Sequence, residues 1–177
     1  MSVQQSIPEV VYVDLDGTLS PSDLLVESCL QLMRRNVLYL FLLVFWASKG
    51  GWRLKTEVAK RVDLDTHGFP VRAGLIEQLQ AYKAQGVELV LASASLATQV
   101  RKVAAQVGIF DRVIASENEN LKGARKLQAI ELDAQGRSWA YVGDARVDLS
   151  IWRATPFAWA VAPSSSTQRK ADALGIQ

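Results

Sequence analysis

Val10-Val11-Tyr12-Val13-Asp14-Leu15-Asp16-Gly17-Thr18-Leu19 decides how this chain is read. An apolar run ends in two aspartates spaced i, i+2, and a glycine turn follows at once. In a strand that spacing puts both carboxylates on one face, where burial and mutual repulsion disfavour them unless a positive charge intervenes. A divalent cation would offset the repulsion, and a metal beside a carboxylate suits phosphoryl chemistry. The competing reading is a strand that ends in a solvated acidic turn, which Asp-x-Asp alone does not exclude.

Bulk composition narrows the field. The chain has 177 residues, 49% of them hydrophobic and 21% charged, with a formal net charge of +2. That length can bury a sizeable core and suggests one domain, with room for an insertion. The charge is too small to argue for a nucleic-acid partner. A single cysteine, Cys29, excludes an internal disulfide and a thiolate metal cluster and fits a reducing compartment. A single histidine, His67, excludes a multi-histidine zinc site. Both are read as structural. The first ten residues lack a basic segment followed by an apolar core, so no secretory signal is expected. The longest uncharged apolar run, Val37 to Ala47, is too short to span a bilayer, which takes about 20 such residues.

Outward from the opening strand, Ser22 is expected to cap a helix running to about Arg35. The Val37–Ala47 run predicts a second helix ended by Gly50-Gly51, and Trp52–Val62 a third. Asp63–Pro70 reads as a loop and Val71–Gln85 as an amphipathic helix. The chain then alternates. Strands are expected at Val87–Ala92, Arg112–Ala115, Trp139–Val142 and Phe157–Val161. Helices are expected at Leu96–Val107, Gly123–Leu132, Leu149–Ala154 and Thr167–Leu174. Such alternation predicts an α/β fold with a doubly wound parallel sheet and right-handed crossovers. The helical block after the first strand breaks the alternation. It is read as an all-helical insertion, residues 23–62, on a core domain made of residues 1–22 and 63–177.

Open parallel sheets collect ligands at the carboxyl ends of their strands. Asp14 and Asp16 follow the first strand. Ser93, Ala94 and Ser95 follow the second and open a helix, an arrangement suited to an anion. Lys122 precedes the helix at Gly123, with Lys126 one helical turn further on as an alternative. Gly143-Asp144-Ala145-Arg146-Val147-Asp148 follows the Trp139–Val142 strand. Arg146 reads as a solvated loop residue, and Ser93 alone could be a simple helix cap. Each piece is weak alone; the order is specific.

This order resembles the four motifs of the haloacid dehalogenase superfamily across nearly the whole chain. The resemblance implies an Mg²⁺-dependent phosphomonoester hydrolase. Asp14 would be the nucleophile that becomes an aspartyl phosphate, and Asp16 the general acid and base. Gly17, Ser93, Ala94 and Lys122 would bind the substrate phosphate, with Lys122 also catalytic. Asp14, the Asp16 carbonyl and Asp144 would hold the metal, supported by Thr18 and Asp148. Asp16 favours a phosphatase, since a dehalogenase needs no acid there and related transport ATPases carry threonine.

In that superfamily a helical cap selects substrate. Here the apolar run is flanked by Arg34-Arg35 and by Lys49, Arg53 and Lys55, with Trp46 and Trp52 near its ends. That pattern fits an interfacial helix on an anionic membrane; packing on the core or as a helical hairpin is the alternative. A closer resemblance is carried by Asp23-Leu24-Leu25-Val26-Glu27-Ser28, the basic-apolar helix, Asn120-Leu121-Lys122-Gly123-Ala124-Arg125-Lys126 and Tyr141-Val142-Gly143-Asp144. These are similar to the phosphatase domain fused ahead of bacterial membrane prenyltransferases of the 4-hydroxybenzoate polyprenyltransferase type. That implies a prenyl- or lipid-linked phosphate as substrate and a cytoplasmic location, peripheral at the inner membrane face. Members of that group continue into transmembrane helices, whereas this chain ends at Gln177, as an excised domain or a free-standing relative. A soluble phosphatase of the phosphoserine type and a non-catalytic docking domain of a membrane prenyltransferase are the rival readings.

Overall fold

The computed structural model describes residues 7–63 and 68–176; His67 lies outside them. Among these residues five strands, β1 (Val10–Val13), β2 (Glu88–Leu96), β3 (Arg112–Ser116), β4 (Trp139–Gly143) and β5 (Phe157–Ala160), form one parallel sheet in the order β3-β2-β1-β4-β5. The chain therefore winds outward from β1 to β3, then crosses back to lay β4 on the other side of β1. The expected doubly wound α/β sheet is present. Its direction reverses between β1 and β4, which opens a crevice at their carboxyl ends.

Among the described residues eight α-helices accompany the strands: α1 (Leu24–Arg35), α2 (Tyr39–Ser48), α3 (Gly51–Ala59), α4 (Ala73–Lys83), α5 (Ala97–Val107), α6 (Ala124–Ala134), α7 (Leu149–Trp152) and α8 (Ser165–Asp172). A 3₁₀ turn at Arg146–Asp148 leads into α7. β1 is buried along its whole length, so alternate residues feed opposite faces. Val11 and Val13 join Leu89, Leu91, Val100 and Leu79 on one face. Val10 and Tyr12 join Val90, Ile130, Tyr141 and Trp152 on the other.

Helices α1–α3 lie between β1 and β2 in the chain and have a small core of their own, built from Leu32, Leu43, Trp46, Val58 and Val62. Asp23, rather than Ser22, caps α1: its Oδ1 accepts from the backbone N–H groups of Leu25 (2.8 Å) and Val26 (3.1 Å). Aspartate fits because the carboxylate also complements the positive helix end. Trp46 is buried beneath the Arg61 guanidinium, 4.6 Å from its ring, and not displayed as an interfacial anchor. Among the described residues no helix is long and apolar enough to cross a membrane.

Candidate active site

The acid pair sits where the sheet reverses. Asp14 follows β1 directly, and its N–H donates to the Val142 carbonyl of β4 (2.9 Å). The turn behind it is pinned. Leu19 N–H bonds the Asp14 carbonyl (3.1 Å), and Arg72, at the start of α4, donates to the Thr18 (3.1 Å) and Gly17 (3.2 Å) carbonyls. Arg72 was not legible in the sequence as part of this motif, because it stands far along the chain from it.

The two aspartates face different neighbours. Asp14 Oδ1 accepts from Lys126 Nζ (2.9 Å) and from the Leu15 N–H (2.8 Å). Asp16 is turned toward the insertion, where Oδ1 accepts from the Leu24 N–H at the start of α1 (2.7 Å) and Oδ2 from the Ser95 hydroxyl (2.7 Å). Burial raises the Asp16 pKa, which favours its protonated form. Burial also pushes Asp14 up, while the Lys126 ammonium pulls it back.

Lys126 is the lysine that meets Asp14. It is buried on α6, and its Nζ also donates to the Tyr141 hydroxyl (3.1 Å), which donates in turn to Asp148 Oδ1 (2.9 Å). Burial works to discharge Lys126, but Asp14 and Asp148 outweigh it and keep it protonated. Lys122, to which the sequence reading gave this place, is exposed and lines the same pocket without that ion pair. The physical reason is helix phase. α6 starts at Ala124, and Lys126 shares its inward stripe with Ile130 and Ala134, all buried. Lys122 precedes the helix. Tyr141 and this inward lysine are the members that sequence reasoning missed or ranked second.

On the β4 side, Thr18 donates to Asp144 Oδ1 (3.0 Å), and Asp148 Oδ2 accepts from the Ala145 N–H (3.0 Å). Oxygens of Asp14, Asp144 and Asp148 lie within 4.8 Å of one another. Two glycines permit this crowding. A Cβ on Gly143 would sit 2.7 Å from Asp148 Oδ2, and one on Gly17, whose φ is +83°, would sit 2.3 Å from Asp144 Oδ2. Gly17→Ala is accordingly expected to displace Asp144 and to lower the melting temperature by several degrees in a circular dichroism melt. A melt unchanged from the parent chain would show the close approach to be dispensable.

The hydroxyl motif differs from expectation in detail. β2 continues to Leu96, with a shift in register against β3 between Ser93 and Leu96. Ser93 is fully buried and its Oγ accepts from the Ser95 N–H (3.0 Å), whereas Ala94 and Ser95 line the pocket. That pocket, about 200 Å³, is lined on the insertion side by Asp23 and by Lys55 of α3. Lys55 Nζ donates to the Ala94 carbonyl (2.7 Å) and lies 3.4 Å from Asn120 Oδ1. Arg146 is exposed, as its loop position implied. A larger cavity of about 530 Å³, lined by Leu75, Leu79, Tyr82 and Trp159, includes none of these acids.

A protein-family model described as haloacid dehalogenase-like hydrolase matches residues 11–153, which spans every residue of this site. The chain belongs to this family. As a haloacid dehalogenase-like hydrolase it has relatives among both curated sequences and solved structures. It is 28% identical over 165 residues to the uncharacterized protein y4nM of Sinorhizobium fredii (strain NBRC 101917 / NGR234), a match covering 93% of this chain and 32% of that protein. The chain thus spans about a third of the length of that curated relative. A Bordetella pertussis Tohama I protein of unknown function superposes with a TM-score of 0.75 at 16% identity, covering 97% of this chain and 98% of that one. A phosphoserine phosphatase in its apo form gives 0.66 at 18% identity, over 93% and 92%. At these identities the structures share the fold.

Proposed function

We propose that this hydrolase is an Mg²⁺-dependent phosphomonoesterase that works through a phosphoryl group carried on Asp14. The observation that carries the reading is the buried Asp14–Lys126 ion pair facing Asp144 and Asp148 at the sheet's reversal point. Three carboxylates converge there, while Lys126 supplies the buried ammonium. Hard oxygen donors in such a cluster fit Mg²⁺, and we place it on Asp14 and Asp144, with Asp148 behind them. When bound, the ion would supply charge neutralisation for an anionic phosphate.

The protein's own groups account for the remaining chemistry. Asp14 presents a carboxylate oxygen for attack on phosphorus, and Lys126 fixes its orientation. The Ala94–Ser95 segment and Lys122 border the space for the phosphoryl oxygens. Asp16, held by the Leu24 N–H and Ser95, protonates the leaving oxygen and then takes a proton from water. We take residues 23–62 as a cap over this pocket.

For the substrate we infer a prenyl- or lipid-linked phosphate, supported by the resemblance of the Asp23–Ser28, Asn120–Lys126 and Tyr141–Asp144 segments to the phosphatase domains fused to membrane prenyltransferases. Lys55 favours a second reading: a half-buried ammonium at the pocket, whose pKa burial lowers, also suits a small soluble substrate with a second anionic group. Kinetics on phosphoserine, p-nitrophenyl phosphate and a prenyl phosphate in detergent separate the two. Higher kcat/KM on the prenyl phosphate is expected. Preference for phosphoserine would replace that inference with the soluble one.

Metal removal has a definite expected outcome. EDTA should abolish phosphate release, and excess Mg²⁺ should restore it. Mg²⁺ should also raise the melting temperature, because it relieves repulsion among Asp14, Asp144 and Asp148. Full activity in EDTA with no thermal shift would contradict the metal assignment.

A further inference from the structure

The insertion displays an apolar surface that the pocket does not use. On and just before α2, Val37, Leu38, Leu40, Phe41, Val44 and Phe45 are all exposed; Phe41 is 73% and Phe45 55% accessible. Leu43 and Trp46, by contrast, face the insertion's own small core. One flank of α2 therefore anchors it and the rest is open to solvent. A contiguous apolar patch of this kind disfavours an isolated monomer in water and indicates a binding surface.

Charge identifies the occupant. From Ser28 to Thr56 the chain carries Arg34, Arg35, Lys49, Arg53 and Lys55 and no Asp or Glu. Arg34, Arg35 and Lys49 are exposed at the two ends of α2, Arg53 is exposed as well but pairs with Glu57 (3.3 Å), and Lys49 Nζ lies 5.6 Å from the Phe45 ring centroid. A second copy meeting this face would bring like charges together. A surface of anionic headgroups over hydrocarbon complements both features at once. The ten residues of α2 span only about 15 Å, enough to lie in the interface and not enough to cross it.

We propose that this face of the insertion docks on an anionic bilayer, with the Phe41–Phe45 side of α2 sunk at the headgroup boundary and the flanking Arg and Lys residues on the headgroups. The inference stands on the insertion's surface alone and would survive failure of the phosphatase reading. α2 packs on α3, which bears Lys55, so the docked helix is one element away from the pocket.

The test is co-sedimentation of the intact chain with phosphatidylcholine vesicles, with and without phosphatidylglycerol. Binding is expected on the phosphatidylglycerol vesicles, falling as salt rises. Phe41→Ser/Phe45→Ser should weaken it about tenfold or more through lost apolar burial, and Arg34→Gln/Lys49→Gln about tenfold through lost charge. Both pairs are exposed, and an unchanged circular dichroism melt with unchanged p-nitrophenyl phosphate turnover will show that the variants remain folded. Absence of binding to either vesicle would overturn the proposal, as would binding indifferent to the phenylalanine pair. Equal binding to both vesicle types would overturn its charge component. A concentration-dependent dimer that the phenylalanine pair abolishes, without vesicle binding, would assign the face to a second copy instead.

Discussion

Asp14→Asn is expected to lower kcat on p-nitrophenyl phosphate at least about 1000-fold, with circular dichroism unchanged. The substitution preserves shape and leaves the Leu15 N–H an acceptor, so the loop at the end of β1 should hold its conformation. What it removes is the anionic oxygen that the proposed mechanism aims at phosphorus. It also leaves the Lys126 ammonium without its carboxylate at a buried position, which should reduce stability to urea. Loss of activity with retained fold places Asp14 at the reacting atom. Retention of turnover near the starting level, after deamidation has been excluded by mass spectrometry, would remove Asp14 from that role.

The two lysines give the second large effect, and they should differ. Lys126→Met is expected to cost about 100- to 1000-fold in kcat, whereas Lys122→Ala should cost about tenfold or less, seen mainly in KM. Lys126 touches Asp14 and, through Tyr141, Asp148, so methionine leaves buried acids unpaired. Lys122 is solvated at the pocket's border, where screening weakens whatever charge it offers an anion. A companion Tyr141→Phe should lie between them, since it cuts the link to Asp148 but spares the Lys126–Asp14 pair. Steady-state kinetics on the three variants decide the order. A larger loss of kcat in Lys122→Ala than in Lys126→Met would reverse the assignment of the two lysines.

The difference between those lysines shows where sequence reading reached and where it stopped. The sheet was legible because each strand is an apolar run ended by a turn, and the acids stand directly after β1 and β4. The order of pieces along the chain then carried the family. The choice between Lys122 and Lys126 turned on the phase of one helix. The stripe Lys126, Ile130, Ala134 is an i, i+4, i+8 signal in which a lysine occupies an apolar face, and a count along that face would have found it. Tyr141 lies in a strand whose neighbours read as ordinary core; a buried tyrosine hydroxyl does require a partner, but its identity is a matter of three dimensions. The irregular end of β2, which buries Ser93 and exposes Ser95 to Asp16, comes from a register shift that composition does not encode. The exposure of α2 was one of two readings the sequence left open, because an apolar helix reads alike whether it is covered or bare.

Those elements combine into one chemical claim: a phosphoryl group passes from substrate to Asp14 and then to water. Asp16→Asn isolates the first half. Nitrophenolate leaves without a proton, so attack by Asp14 can proceed while water activation by residue 16 is lost. Rapid mixing of Asp16→Asn with p-nitrophenyl phosphate and Mg²⁺, followed by borohydride reduction and peptide mass spectrometry, tests this directly. A burst of about one nitrophenolate per enzyme is expected, then a stall, with homoserine at position 14 from reduction of the acyl phosphate. Steady release without a burst, with residue 14 still aspartate, would contradict the claim.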